Sequence, residues 1–137
     1  MKKIKIQLIF DITEIEKQSE NFLALKNSIL SGEFQREFSK NNIDLKYFKP
    51  ERDYIAEKVK ASININSLNP GFYQVIYNLN FNVSELGFNS SEFIEFRNSV
   101  EFGDMKKEFE ADFIDSKNKT PEKCFKPKNL TITINII

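Results

Sequence analysis

Ile4, Ile6, Leu8 and Phe10 fall on one side of an alternating segment, while Lys3, Lys5 and Gln7 fall on the other. Period two is the signature of a strand with one buried face. The pattern returns at Val75, Tyr77, Leu79, Phe81 and Val83, opposed by Gln74, Asn78, Asn80 and Asn82. Two more alternating stretches, VKASININ (59–66) and LTITINII (130–137), predict two closing strands. Their apolar positions are Val59, Ala61, Ile63 and Ile65, then Leu130, Ile132, Ile134 and Ile136.

Between the strands the period changes to that of a helix. Phe22, Leu25 and Ile29 recur at i, i+3 and i+7, a buried helical stripe. Thr13 and Glu16 are spaced as a capping box for that helix. In the second half Gly87 occupies the corresponding early region. The helix there is expected to start at Asn89–Ser90, with Glu92 answering the cap, and to present Phe93, Phe96 and Val100. Gly32 and Gly103 follow the two helices, where a left-handed glycine closes a last turn. Short second helices come next, with Phe34 and Phe38, or Met105 and Phe109, four apart on one face.

The two halves match along their length. Shifting the chain by 71 positions sets 1–66 on 72–137 without a gap, and 18 of the 66 aligned pairs are identical. NSILSGEFQREF (27–38) lies on NSVEFGDMKKEF (98–109), and Ile43-Asp44 lies on Ile114-Asp115. Pro50-Glu51-Arg52 lies on Pro121-Glu122-Lys123, and Ile63-Asn64-Ile65 on Ile134-Asn135-Ile136. The expectation is a tandem duplication of a β-α-α-β unit, with repeat 1 at 1–66, a hairpin linker SLNPG at 67–71 and repeat 2 at 72–137. Two such units build one α+β domain with a four-stranded, mainly antiparallel sheet and helices on one face. The arrangement is either ferredoxin-like, through right-handed crossovers, or a fused swapped pseudo-dimer around a pseudo-twofold.

Composition narrows the chemistry. The 137 residues include 20 basic and 20 acidic ones, so no global charge surplus points to nucleic acid or an anionic membrane. Histidine is absent and Cys124 is the one cysteine, which removes a Cys–His nucleophile and the usual zinc ligands. The four glycines form neither GxGxxG nor a P-loop. Glu101, Asp104, Glu108, Glu110, Asp112 and Asp115 are the one acidic cluster, read as a solvated helix face. No catalytic, metal or cofactor residues are assigned, no cofactor is expected, and the chain is expected not to be an enzyme.

The opening MKKIKIQLIFDI is too short and too alternating for a signal peptide or a spanning helix. With a lone cysteine, the expected compartment is the cytoplasm. Lys, Ile, Asn and Phe make up nearly half the chain, as AT-rich coding in bacteria and their phages produces.

Nucleic-acid readings meet specific obstacles. RNA-recognition sheets stack bases on aromatics of the open face, whereas Phe10, Tyr77 and Phe81 fall on the core side. The strand-helix-helix order resembles ribbon-helix-helix repressors, against which stand the extra terminal strand and the neutral charge. What remains unusual is an open face rich in asparagine.

The expected function is therefore a non-catalytic protein-binding module, of the kind of a bacterial or phage inhibitor, immunity or anti-defence protein. The alternative is a nucleic-acid-binding accessory protein that uses two pseudo-symmetric units. Partner contacts are assigned to Lys3, Lys5, Asn64, Asn78, Asn80 and Asn82 on the open face. Tyr47, Phe48, Lys119 and Lys126 join them, from loops in which the two halves diverge. The partner is expected to be a protein or a second copy, with nucleic acid less favoured and no membrane.

Overall fold

The computed structural model describes residues 1–40, 47–112 and 124–137. The pairs at Ile43-Asp44, Ile114-Asp115 and Pro121–Lys123 lie outside them, as do Asp115 and Lys119. Four strands are formed, β1 (Lys2–Thr13), β2 (Glu57–Asn69), β3 (Phe72–Val83) and β4 (Lys128–Ile136). Between β1 and β2 run α1 (Glu14–Lys17), α2 (Glu20–Ser31) and α3 (Glu33–Lys40). Between β3 and β4 run α4 (Glu85–Phe88), α5 (Ser91–Glu101) and α6 (Asp104–Asp112).

The fold is α+β, with one antiparallel sheet in the order β2-β3-β1-β4. β1 and β3 pair without interruption from Lys2 opposite Val83 to Thr13 opposite Phe72. β2 lies on β3, with Ile63 opposite Tyr77, and β4 lies on β1, with Ile6 opposite Ile134. The closing strand of each half thus pairs with the opening strand of the other. Each outer pair carries a register shift at its far end, where Glu57 meets Asn82 and Asp11 meets Lys128. Lys58 and Asn129 beside them take φ of 53° and 54°, the left-handed residue that a bulge inserts.

Alternation sets the buried face. Ile4, Ile6, Leu8, Phe10 and Ile12 of β1 and Val75, Tyr77, Leu79, Phe81 and Val83 of β3 are all buried. Phe22 and Ile29 of α2, Phe93 of α5 and partly buried Phe34, Phe38, Phe96 and Phe109 pack against them. Each fully buried Phe contributes about 1.5–3 kcal/mol by leaving water.

Phe125, just ahead of β4, meets Phe22 of α2 edge-on at 5.3 Å and 84°. Tyr54, just ahead of β2, meets Phe93 of α5 at 5.2 Å and 83°. Phe125 also stacks on Phe10 and Tyr54 on Phe81. The approach to each closing strand is therefore anchored on the helix of the opposite half.

Four details differ from the sequence expectation. The Thr13–Glu16 capping box forms, but it caps only the single turn α1. Ser19 is extended at ψ 151° and starts α2 afresh, its Oγ accepting from Phe22 N at 3.3 Å. Glu16 is held at the break because its carboxylate accepts from Thr13 and also from the Lys126 backbone N–H.

Ser90 does cap α5, but Glu92 lies one residue too early to answer it and faces Asp53 instead. The Gly87 region is helical as well, since Ser84 Oγ accepts from Gly87 N at 3.0 Å. A glycine is needed there for space: a Cβ would come within 2.9 Å of Val83 Cγ1 and 3.1 Å of Tyr54 Cβ.

The central hairpin is also tighter than SLNPG suggested. Pairing continues to Asn69 opposite Phe72, which leaves Pro70 and Gly71 as the turn, with Gly71 at φ 88°.

Candidate functional site

Residues of opposite parity to the core form the other face of the sheet. Lys3 faces Asn82, Lys5 faces Asn80 and Gln7 faces Asn78 across β1 and β3. Asn64 flanks Ile76, and Ser62 flanks Asn78, from β2. Asn135 and Thr133 flank Lys5 and Gln7 from β4. Strand register therefore brings Lys3, Lys5, Asn64, Asn78, Asn80 and Asn82 onto one surface.

An amide pair stands in the middle of that surface. Gln7 Nε2 donates to Asn78 Oδ1 at 3.1 Å, which fixes the two amides in one orientation. Their remaining donors and acceptors stay available to a ligand. At one end, Asn129 Nδ2 donates to Asp11 Oδ2 at 3.0 Å. Beside the amide pair, Ile9 and Ile76 face each other, both half-buried. These two isoleucines escaped the sequence reading. Ile9 breaks the alternation by sitting between Leu8 and Phe10, and that break was the available signal. The face thus combines a small apolar centre with neutral amides and two lysines.

The loop candidates do not join it. Tyr47 and Phe48 begin a segment tied to the start of α5, where Glu51 O accepts from Ser91 N and Arg52 O from Glu92 N. Lys126 lies beside α1, its backbone N–H bound by Glu16. Lys119 is outside the described residues.

That first segment holds the main charged constellation. Arg52 clasps Asp53 through Nε and Nη2, both at 3.0 Å, and Lys49 N donates to Asp53 Oδ2 at 3.0 Å. Arg52 Nη2 also donates to the Tyr47 carbonyl at 3.1 Å. The hydrogen bond from Arg52, then that from Lys49, holds the Asp53 carboxyl below the usual carboxylate range.

Glu92 moves the opposite way. Burial raises its carboxyl, and the charge and hydrogen bond of Asp53 raise it further. Burial pushes Tyr54 up to about 12, with the Glu92 charge adding to it. With Arg52 clasping Asp53, and Glu51 and Arg52 bonded through their carbonyls to Ser91 and Glu92, the cluster serves as a latch for the loop on α5. Chain order hid it, because Arg52-Asp53 and Glu92 lie on different elements.

Among the described residues, no group of three or more His, Cys, Asp or Glu is placed to hold a metal ion. No described helix is long and apolar enough to cross a membrane. No family model, curated protein or solved structure matches the chain.

Proposed function

We propose that this chain is a non-catalytic binding protein whose open sheet face docks a protein partner. The observation that carries the reading is the convergence of Lys3, Lys5, Asn64, Asn78, Asn80 and Asn82 around the Gln7–Asn78 pair and the two isoleucines. The described helices pack on the opposite face, so none of them covers this surface. Amides that donate and accept suit peptide groups and polar side chains, and the half-buried Ile9 and Ile76 supply a desolvated centre. A bacterial or phage inhibitor, immunity or anti-defence protein is the kind of molecule we have in mind.

We further propose that the chain arose by duplication of a β-α-α-β unit and has ferredoxin-like topology with a pseudo-twofold axis. Matching features 71 positions apart support this. The outer registers correspond, Lys58 and Asn129 share one backbone conformation, and Phe22–Phe125 repeats as Phe93–Tyr54. The axis passes between Gln7 and Asn78, through the middle of the proposed docking face.

Copurification from the native source tests the reading. A stoichiometric protein that is lost with Lys5→Glu and Asn78→Arg, but retained with Lys107→Glu on α6, is the expected result. Salt-sensitive nucleic acid in its place would favour the nucleic-acid alternative. Binding indifferent to the face substitutions would overturn the assignment of the face.

A further inference from the structure

We propose that the cavity between the sheet and the helices is a binding site for a small aromatic molecule, between benzene and indole in size. The cavity measures about 190 Å³. Leu8 and Leu79 of the central strands form its floor, and Leu25, Phe38, Phe96 and Met105 bring α2, α3, α5 and α6 over it. Among the described residues, no charged or amide side chain lines it. It lies on the opposite side of the sheet from the docking face, so this inference goes beyond the partner-binding reading.

Protein interiors pack close to crystal density, and voids larger than a water molecule are few. Apart from Tyr77, whose hydroxyl is buried without a hydrogen-bond partner among the described residues, this partly open apolar space offers water nothing to hydrogen-bond. A cavity of about 150 Å³ lined by Leu, Ile and Phe stays dry and admits benzene. The present cavity is larger and similarly lined, so a single ring fits without displacing a side chain. Phe38 and Phe96 supply ring contacts, and the Met105 sulfur adds a polarizable one.

The space has a local origin. Leu25 stands where the other half has Phe96, and Met105 stands where it has Phe34. Both smaller side chains line the cavity. A Phe at either position is thus a fill of known shape for this layer.

Benzene titration with thermal denaturation and NMR tests the site. Benzene at tenfold over its Kd is expected to raise the midpoint of the native chain by about 4 °C, saturably. Intermolecular NOEs are expected to the methyls of Leu8, Leu79 and Leu25. Leu25→Phe should fold with a higher midpoint of its own and lose the benzene response. Should Leu25→Phe fail to fold, Met105→Phe serves the same purpose, and the NOEs locate benzene without any variant. The absence of a saturable shift, NOEs confined to other residues, or an undiminished response in a folded filling variant would overturn the proposal.

Discussion

Gln7 and Asn78 are 71 positions apart, stand directly opposite each other on the two central strands, and join through Gln7 Nε2 and Asn78 Oδ1 at 3.1 Å. Under the proposed duplication these are one ancestral position meeting itself. A residue can pair with its own copy only on a twofold axis, so this pair sets the register of both halves. A double-mutant cycle with Gln7→Ala and Asn78→Ala in urea is expected to give a coupling of about 0.5–1 kcal/mol. Strict additivity would mean the amides orient each other without stabilising the sheet.

Tyr77 lies on the core side of β3, and its hydroxyl is buried with no hydrogen-bond partner among the described residues. Burial alone raises its ionisation well above the ordinary tyrosine value. Tyr77→Phe removes an unpaired polar atom and keeps the ring that meets Phe34 at 5.6 Å. Stability should rise by about 1 kcal/mol, read from the denaturation midpoint. A loss of similar size would show that the hydroxyl has a partner in solution.

Phe125 ties the approach to β4 onto Phe22 and Phe10. Phe125→Ala should cost about 3–5 kcal/mol, as a fully buried ring is lost. Hydrogen exchange should quicken in β4 and α2 together, since the ring links them. A loss confined to β4 would contradict that linkage.

Glu92 and Asp53 titrate in opposite senses. Glu92 keeps its proton above the ordinary value of 4.5, so its contribution to stability is full below that value. That contribution is lost as pH rises through the folded value. Asp53 is held below 3.8, so its contribution is present above 3.8 and is lost as pH falls through its folded value. Glu92→Gln keeps a neutral group that can donate to Asp53. Relative to the native chain, it should gain stability as pH rises from about 4 to about 7. Urea unfolding across that range reads the difference, and a flat or falling difference would remove Glu92 from the latch.

Gly32 ends α2 at φ 83°. Gly32→Ala should cost about 1–2 kcal/mol from the left-handed conformation, with Arg36 Nη1 at 3.3 Å free to move aside. Gly103→Ala, at φ 86° with open space around it, should cost the same by thermal denaturation. A much larger loss at one site alone would point to packing as the cause.

Local patterns survive translation into structure where one interaction suffices to decide the outcome. Alternation at Ile4–Phe10 and Val75–Val83 fixed which face is buried, since period two leaves no other choice once one face must leave water. The capping box at Thr13 and Glu16 was legible for the same reason. Its reach was not, because Ser19 caps a new helix, as Ser90 does in the other half where Gly87 stands in place of Glu16. Likewise Glu92, spaced to serve its own helix, is drawn to Asp53 from the other half. On the candidate surface, the strand residues were readable from parity, whereas Tyr47, Phe48 and Lys126 went elsewhere because their segments follow the opposite half's helices.

The sequence by itself determined the element types, the buried face of each strand, the helix stops at Gly32 and Gly103, and the correspondence of positions 71 apart. These follow from periodicity and backbone freedom within a few residues. The tertiary structure decided that β2 pairs with β3 and β4 with β1, that Gln7 meets Asn78, and that Phe125 and Tyr54 cross to the other half. It also decided that Leu25 and Met105 leave space above Leu8 and Leu79. Such outcomes depend on which apolar faces meet and how their volumes sum, and close packing settles that only when every element is in place.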